Sequence, residues 1–219
     1  MFDQFLALIP ELLKSKSGAV FNSGRSAFSS PSKLYILGLN PGGAPDKHVE
    51  ETVQSHTNMV LSRPDNWSGY KDESWDGRKA GTAGLQPRVL HLLNKLDLDP
   101  HLVPSSNIVF QRTSNEADVA KCFEKLAAQC WPFHQHIIEQ LGIRVVLCFG
   151  KRAGYYVRKK INANDFVGEF AETNNRKWKS QAFVNPSGIT VVAATHPSRV
   201  DWSNPNSDPT PLLRYVLQK

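Results

Sequence analysis

With 219 residues, 40% of them hydrophobic and 21% charged, the chain can fill a core and is not a disordered segment. A formal charge of +6 and a pI of about 9.3 favour an anionic partner, nucleic acid first among them. Three scattered cysteines, Cys122, Cys130 and Cys148, argue against a disulfide framework or a cysteine-caged zinc and for a reducing, intracellular setting.

The opening "MFDQFLALIPELLKSKSG" predicts an amphipathic surface helix over about 3–15, with Phe2, Phe5, Leu6, Ile9, Leu12 and Leu13 on its apolar side. It has no basic start and is interrupted by Asp3, Gln4 and Glu11, so no signal peptide is expected. Asn22–Ser32 reads as a polar linker, making 1–32 an N-terminal helix and linker within a single domain of 1–219. A first strand follows at Lys33–Leu39 and empties into Gly38-Leu39-Asn40-Pro41-Gly42-Gly43. The next region is polar, with a short helix near His48–Met59 and then loop marked by Pro64, Gly69 and Gly77. A helix is expected at Leu85–Leu96, a second strand at Asn107–Gln111, and a long helix at Glu116–Gln140. "IRVVLCFG" (Ile143–Gly150) gives a third, fully apolar strand, continued as a helix by "KRAGYYVRKKI". A fourth strand at about Thr190–Thr195 and a short helix at Leu212–Leu217 complete the chain. No apolar run approaches the ~20 residues of a membrane span, so no membrane partner is expected.

Strands alternating with helices predict an α/β fold, a single-domain α-β-α sandwich around a central four-stranded, mainly parallel sheet. Ligands of such sheets sit off the carboxyl ends of the strands. Two polar motifs fall there: Gly38–Gly43 after the first strand, and "THPSRVDW" after the fourth. Gly38-Leu39-Asn40-Pro41-Gly42 resembles the first active-site motif of the uracil-DNA glycosylase superfamily, in the form used by its mismatch-specific and single-strand-selective branches. His196-Pro197-Ser198 resembles the second motif, His-Pro-Ser-Pro. "VVLCFG" followed by Lys151-Arg152-Ala153 is similar to the strand-Gly-x-x-Ala segment between them. Asn185-Pro186-Ser187-Gly188 also looks like a second motif, but it precedes the fourth strand and reads as a turn.

The resemblance implies hydrolysis of the N-glycosidic bond of uracil, or of a related deaminated base, in DNA. Asn40 would position the attacking water, and His196 would donate to the departing base, a contribution of roughly 3–4 kcal/mol for one well-placed donor. Gly42 and Gly43 would let the backbone approach closely, beside Gly38, Leu39 and Pro41. Pro197 and Ser198 would clamp a phosphate, Arg199 would neutralise one or wedge into the base stack, and Lys151 and Arg152 would add positive charge. A flipped base needs a stacking partner; Trp75 and Tyr70 are candidates, with packing under the loop as the other role for Trp75. Gln111 or Asn115 would read the base edge, unless they only make loop hydrogen bonds.

The absence of a lysine nucleophile in either motif implies a monofunctional enzyme. Arg199 stands where the superfamily has proline, and no phenylalanine lies near Trp75. These departures motivate the alternative of a non-catalytic binder or sensor of damaged DNA with the same fold. Action on a free nucleoside or nucleotide is a third reading. His48, His56, His91, His101, His134 and His136 have no metal-ligand spacing, so neither metal nor cofactor is expected. Arg158, Lys159 and Lys160, and Arg176, Lys177 and Lys179 beside Trp178, form basic clusters that fit phosphates or merely solvated faces. An intracellular monomer acting on DNA is the resulting expectation.

Overall fold

The computed structural model describes residues 2–114 and 116–219. Every residue of β1 (Leu34–Gly38) and β3 (Val145–Phe149) is buried. Successive residues of a strand face opposite sides of its sheet, so strands of this kind must be covered on both faces. Accordingly Tyr35, Leu37, Val146 and Cys148 enter one core, and Leu34, Ile36, Val145, Leu147 and Phe149 enter another. The first core is filled from α1 (Phe2–Leu6), α2 (Glu11–Lys14), α3 (Val53–Ser62), α5 (Glu116–Gln140) and α6 (Lys151–Ile161). The second is filled from α4 (Gln86–Lys95) and α7 (Thr210–Leu217). Among the described residues no helix is long and apolar enough to cross a membrane.

The described sheet has six strands, in the order β2 (Ser105–Asn107), β1, β3, β6 (Thr190–Ala194), β5 (Lys179–Val184), β4 (Asp165–Ala171). The first four are mutually parallel, and β5 and β4 continue the sheet antiparallel. The expected four-stranded sheet is therefore corrected to a mixed one of six strands. The missed hairpin has a weak apolar signature, because no residue of the edge strand β4 is fully buried. Leu37 registers with Cys148, and Cys148 with Ala193, so the carboxyl ends of β1, β3 and β6 lie level.

Three further expectations change. The single helix over 3–15 is two short helices, interrupted at Pro10, which has no N–H to donate. Asn22–Ser32 is not a linker: Ser23, Ala27 and Phe28 are buried, and Phe28 packs edge-on against Phe2, Phe5 and Phe21. Residues 17–23 instead run beside the outer flank of the sheet, with bridges from Phe21 to Ser106, Gly18 to Gln111 and Ser23 to Ser68. The second strand is Ser105–Asn107, earlier than Asn107–Gln111, and Ile108, Val109 and Phe110 are core residues that follow it.

Helix α6 approaches the sheet closely at Gly154. A Cβ there would overlap the Ala193 methyl and lie 2.9 Å from its Cα, so the clash is with β6 itself. Gly154→Ala is expected to destabilise the fold by about 1–3 kcal/mol despite alanine's better helix propensity. Urea unfolding checks this, and an unchanged or raised midpoint would refute it.

Candidate functional site

Two loops leave strand ends at the carboxyl edge with β3 between them. The first runs from Leu39 to Gly43. Asn40 is half-buried in it, and its Nδ2 donates to the Pro41 carbonyl at 3.0 Å and to the Thr113 hydroxyl at 2.9 Å. A carbonyl only accepts, so these contacts fix which amide atom is nitrogen. Oδ1 makes no hydrogen bond among the described residues and is left as an acceptor. Gly43 has φ of +94°, a left-handed conformation suited to glycine, and a Cβ there would stand 2.8 Å from His48 Nε2.

The second loop follows β6 and contains His196. Its Nδ1 accepts from the Ser198 N–H at 3.1 Å and, in turn, from the Ser198 hydroxyl at 2.8 Å. An accepting Nδ1 places the proton of the neutral ring on Nε2, making that nitrogen a donor. Phe149 meets the imidazole edge-on at 6.0 Å. The loop's backbone is tied at two carbonyls: Arg88 donates to Pro197 and Arg176 donates to Arg199 at 3.1 Å. Pro197 is buried, whereas Ser198 and Arg199 are exposed.

Gly150 sits between the loops, after β3 and at the start of α6, with φ of +93°. A Cβ there would approach the His196 ring at 3.7 Å. No side chain caps α6, so its first N–H groups face this edge unpartnered by a cap, beside Lys151 and half-buried Arg152. Two strand spacings separate the β1 and β6 ends, roughly 10 Å.

Asn107, which sequence reasoning passed over, belongs to the same edge. It ends β2, registers with Gly38, and is 8% exposed. Its amide makes no hydrogen bond among the described residues, and a Cβ on Gly38 would overlap its Oδ1. The available signal was its place in the chain: an asparagine at the end of the strand paired to β1. The apolar run Ile108–Phe110 drew the strand assignment past it.

A charged cluster supports the first loop from below. Arg112, 8% exposed, donates to the Gly42 carbonyl and pairs with Glu51 at 2.8 Å, while Glu51 also meets His48 Nδ1 at 2.7 Å. Burial opposes ionisation of Glu51, but the His48 hydrogen bond and the Arg112 charge outweigh it and keep its carboxyl below the usual range. Burial, and then Arg112, push His56 down to about 4.

The remaining sequence candidates scatter. Tyr70 is 4% exposed in the second core, with its hydroxyl on Ser105 Oγ at 3.0 Å, and burial pushes its pKa up to about 12. Trp75 is half-buried edge-on to Tyr70, its nitrogen donating to Glu73 at 2.8 Å. Gln111 bridges Gly18, turned toward the N-terminal segment, and Asn115 lies outside the described residues. Asn185 is consumed by its turn: Ile189 N–H and Ser187 Oγ bond to its Oδ1, and its Nδ2 donates to Ile161. That turn borders a cleft of about 310 Å³ at the opposite edge of the sheet, shared with Trp131 and Lys160. Among the described residues no His, Cys, Asp and Glu group together as metal ligands. Comparison with known protein families finds no matching family model, and no characterised protein matches the sequence.

Proposed function

We propose that this chain is a member of the uracil-DNA glycosylase superfamily, a single-domain α-β-α sandwich that removes uracil or a related deaminated base from DNA by hydrolysis. The observation that carries the reading is the pairing of two oriented groups on level strand ends, Asn40 with its oxygen available and His196 with its proton on Nε2. In the reaction the sugar C1′–base bond breaks and its electron pair leaves with the base. A water on Asn40 Oδ1 adds its oxygen to C1′ and releases a proton to solvent. His196 Nε2–H donates to the oxygen on which the leaving base gathers charge, and a fixed donor is worth most where charge develops. The backbone N–H groups that open α6, with Arg199, suit the flanking phosphates. The chain would act as an intracellular monomer.

Asn107 fits the base-reading role better than Gln111. Uracil presents an adjacent acceptor and N–H donor, and a side-chain amide offers the complementary pair. Gly38→Ala is the direct test, because its methyl must displace that amide. We expect uracil release to fall by about tenfold or more, with preference over cytosine relaxed, while the melting temperature drops only slightly. Full activity and unchanged base preference in Gly38→Ala would remove Asn107 from the site.

The sensor reading draws on one observation: Tyr70 is buried and Trp75 is tucked against Tyr70 and Glu73, so neither presents a free stacking face. Base release from a labelled oligonucleotide carrying one uracil, single-stranded or opposite guanine or adenine, separates the two. Released uracil supports the enzyme. Binding without release, at enzyme in excess and over hours, overturns it in favour of the sensor.

A further inference from the structure

Trp178 is a large aromatic that the fold does not use. It is 41% exposed and belongs to neither hydrophobic core. It sits at the tip of the β4–β5 hairpin, where its carbonyl accepts from Glu172 N–H at 2.8 Å and the preceding Lys177 adopts a left-handed φ of +53°. The backbone that carries it is thus fixed. The Arg176 guanidinium lies 5.0 Å from the ring centroid, a cation–π distance. Arg176 is itself anchored, with Nε 3.3 Å from Glu172, a carboxylate whose side chain is fully buried. Its other arm donates to the Arg199 carbonyl in the His196 loop. Thr173 adds two bonds to Asn206 beyond that loop.

The tip therefore presents an aromatic plane beside an anchored cation, on a hairpin tied to the loop that carries His196. Lys177 and Arg199 add exposed positive charge around it. An aromatic plane beside cations in a basic chain suits stacked bases on a charged backbone, because every base has a π-face and every linkage a negative charge. We propose that the hairpin tip, through Trp178 and Arg176, is a stacking platform for an unpaired nucleobase of the DNA strand flanking the nucleotide at His196. The proposal rests on the reading that the chain acts on DNA, and it assigns the hairpin a preference for single-stranded over fully paired flanks.

The test measures affinity for a uracil-free single strand and for the matching duplex at two salt concentrations, with uracil release followed in parallel. Trp178→Ala is expected to weaken single-strand binding by on the order of tenfold, with Trp178→Phe near wild type, since one stacked base contributes that much. The salt dependence should not change in Trp178→Ala, because stacking releases no counterion, whereas Lys177→Ala should make it shallower. Circular dichroism establishes that the variants fold. Single-strand affinity within twofold of wild type in Trp178→Ala overturns the platform even if uracil release persists. Loss of affinity in a protein that releases no uracil keeps the platform and sinks the glycosylase. No single-strand binding by the wild-type chain overturns the platform outright.

Discussion

Asn40→Ala is expected to lower uracil release by about 100- to 1000-fold while leaving the fold intact. The substitution removes Oδ1, an acceptor that no described residue engages, and with it the group proposed to hold the water. It also removes the donor serving the Thr113 hydroxyl and the Pro41 carbonyl, but Asn40 is half-buried, so water can replace that donor at modest cost. His196→Ala should cost a comparable factor for a different reason, the loss of a fixed donor to the departing base. His196→Gln discriminates between a chemical and a packing role. Its amide N–H can donate where alanine cannot, so it should recover part of the rate. Single-turnover release with each variant, compared with its melting temperature, is the measurement. Asn40→Ala releasing uracil at the wild-type rate would leave the water-holding role without support.

The second large effect is on stability in acid. His134 is fully buried; its Nε2–H donates to the Ile108 carbonyl at 3.2 Å, and its Nδ1 meets the Tyr35 hydroxyl at 2.8 Å, from which a neutral ring accepts. Burial pushes its pKa down to about 4, as burial and Arg112 do for His56. Unfolded, both take up a proton near 6.5. The stability they contribute is therefore complete above about pH 6.5 and drains away as the pH falls from there to about 4. Such a gap corresponds to about 3 kcal/mol for the fully buried His134 and to less for the half-buried His56. Together that is comparable with the whole stability of many domains, roughly 5–15 kcal/mol. Urea midpoints should be level from pH 8 to 7 and then fall steeply toward pH 4.5. Replacing His134 by glutamine, which can still bond at one end, should make that fall shallower. Midpoints that stay level down to pH 4.5 would contradict neutral His134 and His56 in the folded chain.

Much of the architecture was legible because the two-sided burial of β1 and β3 writes itself as unbroken apolar runs, "LYIL" and "VVLCF". The Glu116–Gln140 and Lys151–Ile161 helices carry equally plain periodicity. The hairpin β4–β5 escaped because an edge strand open to solvent needs few apolar residues, although the Asn174-Asn175 turn between two β-rich runs was a usable sign. β2 was displaced for the opposite reason. Its residues Ser105, Ser106 and Asn107 are polar yet buried, the hydroxyls being satisfied by Tyr70 and the Val20 carbonyl, and such pairing across distant segments leaves no local trace. In the candidate site, Asn40 and His196 were singled out through their motifs. Thr113 and Arg112, which orient the first loop, act from a stretch whose own sequence pattern is silent about that contact.

The two rims of the sheet are protected in unlike ways. Along β2 the chain's own residues 17–23 lie against the outer backbone, so that rim is closed from within. At β4 the rim is open, but its register breaks between Phe166 and Gly168, and it carries charged side chains in Asp165 and in Glu169, which pairs with Lys179. A kinked, charged strand is a poor template for a neighbour. Copies of this protein thus have no flat backbone to zip onto at either rim. Crowding should not drive them into ribbons as long as the 17–23 segment stays docked.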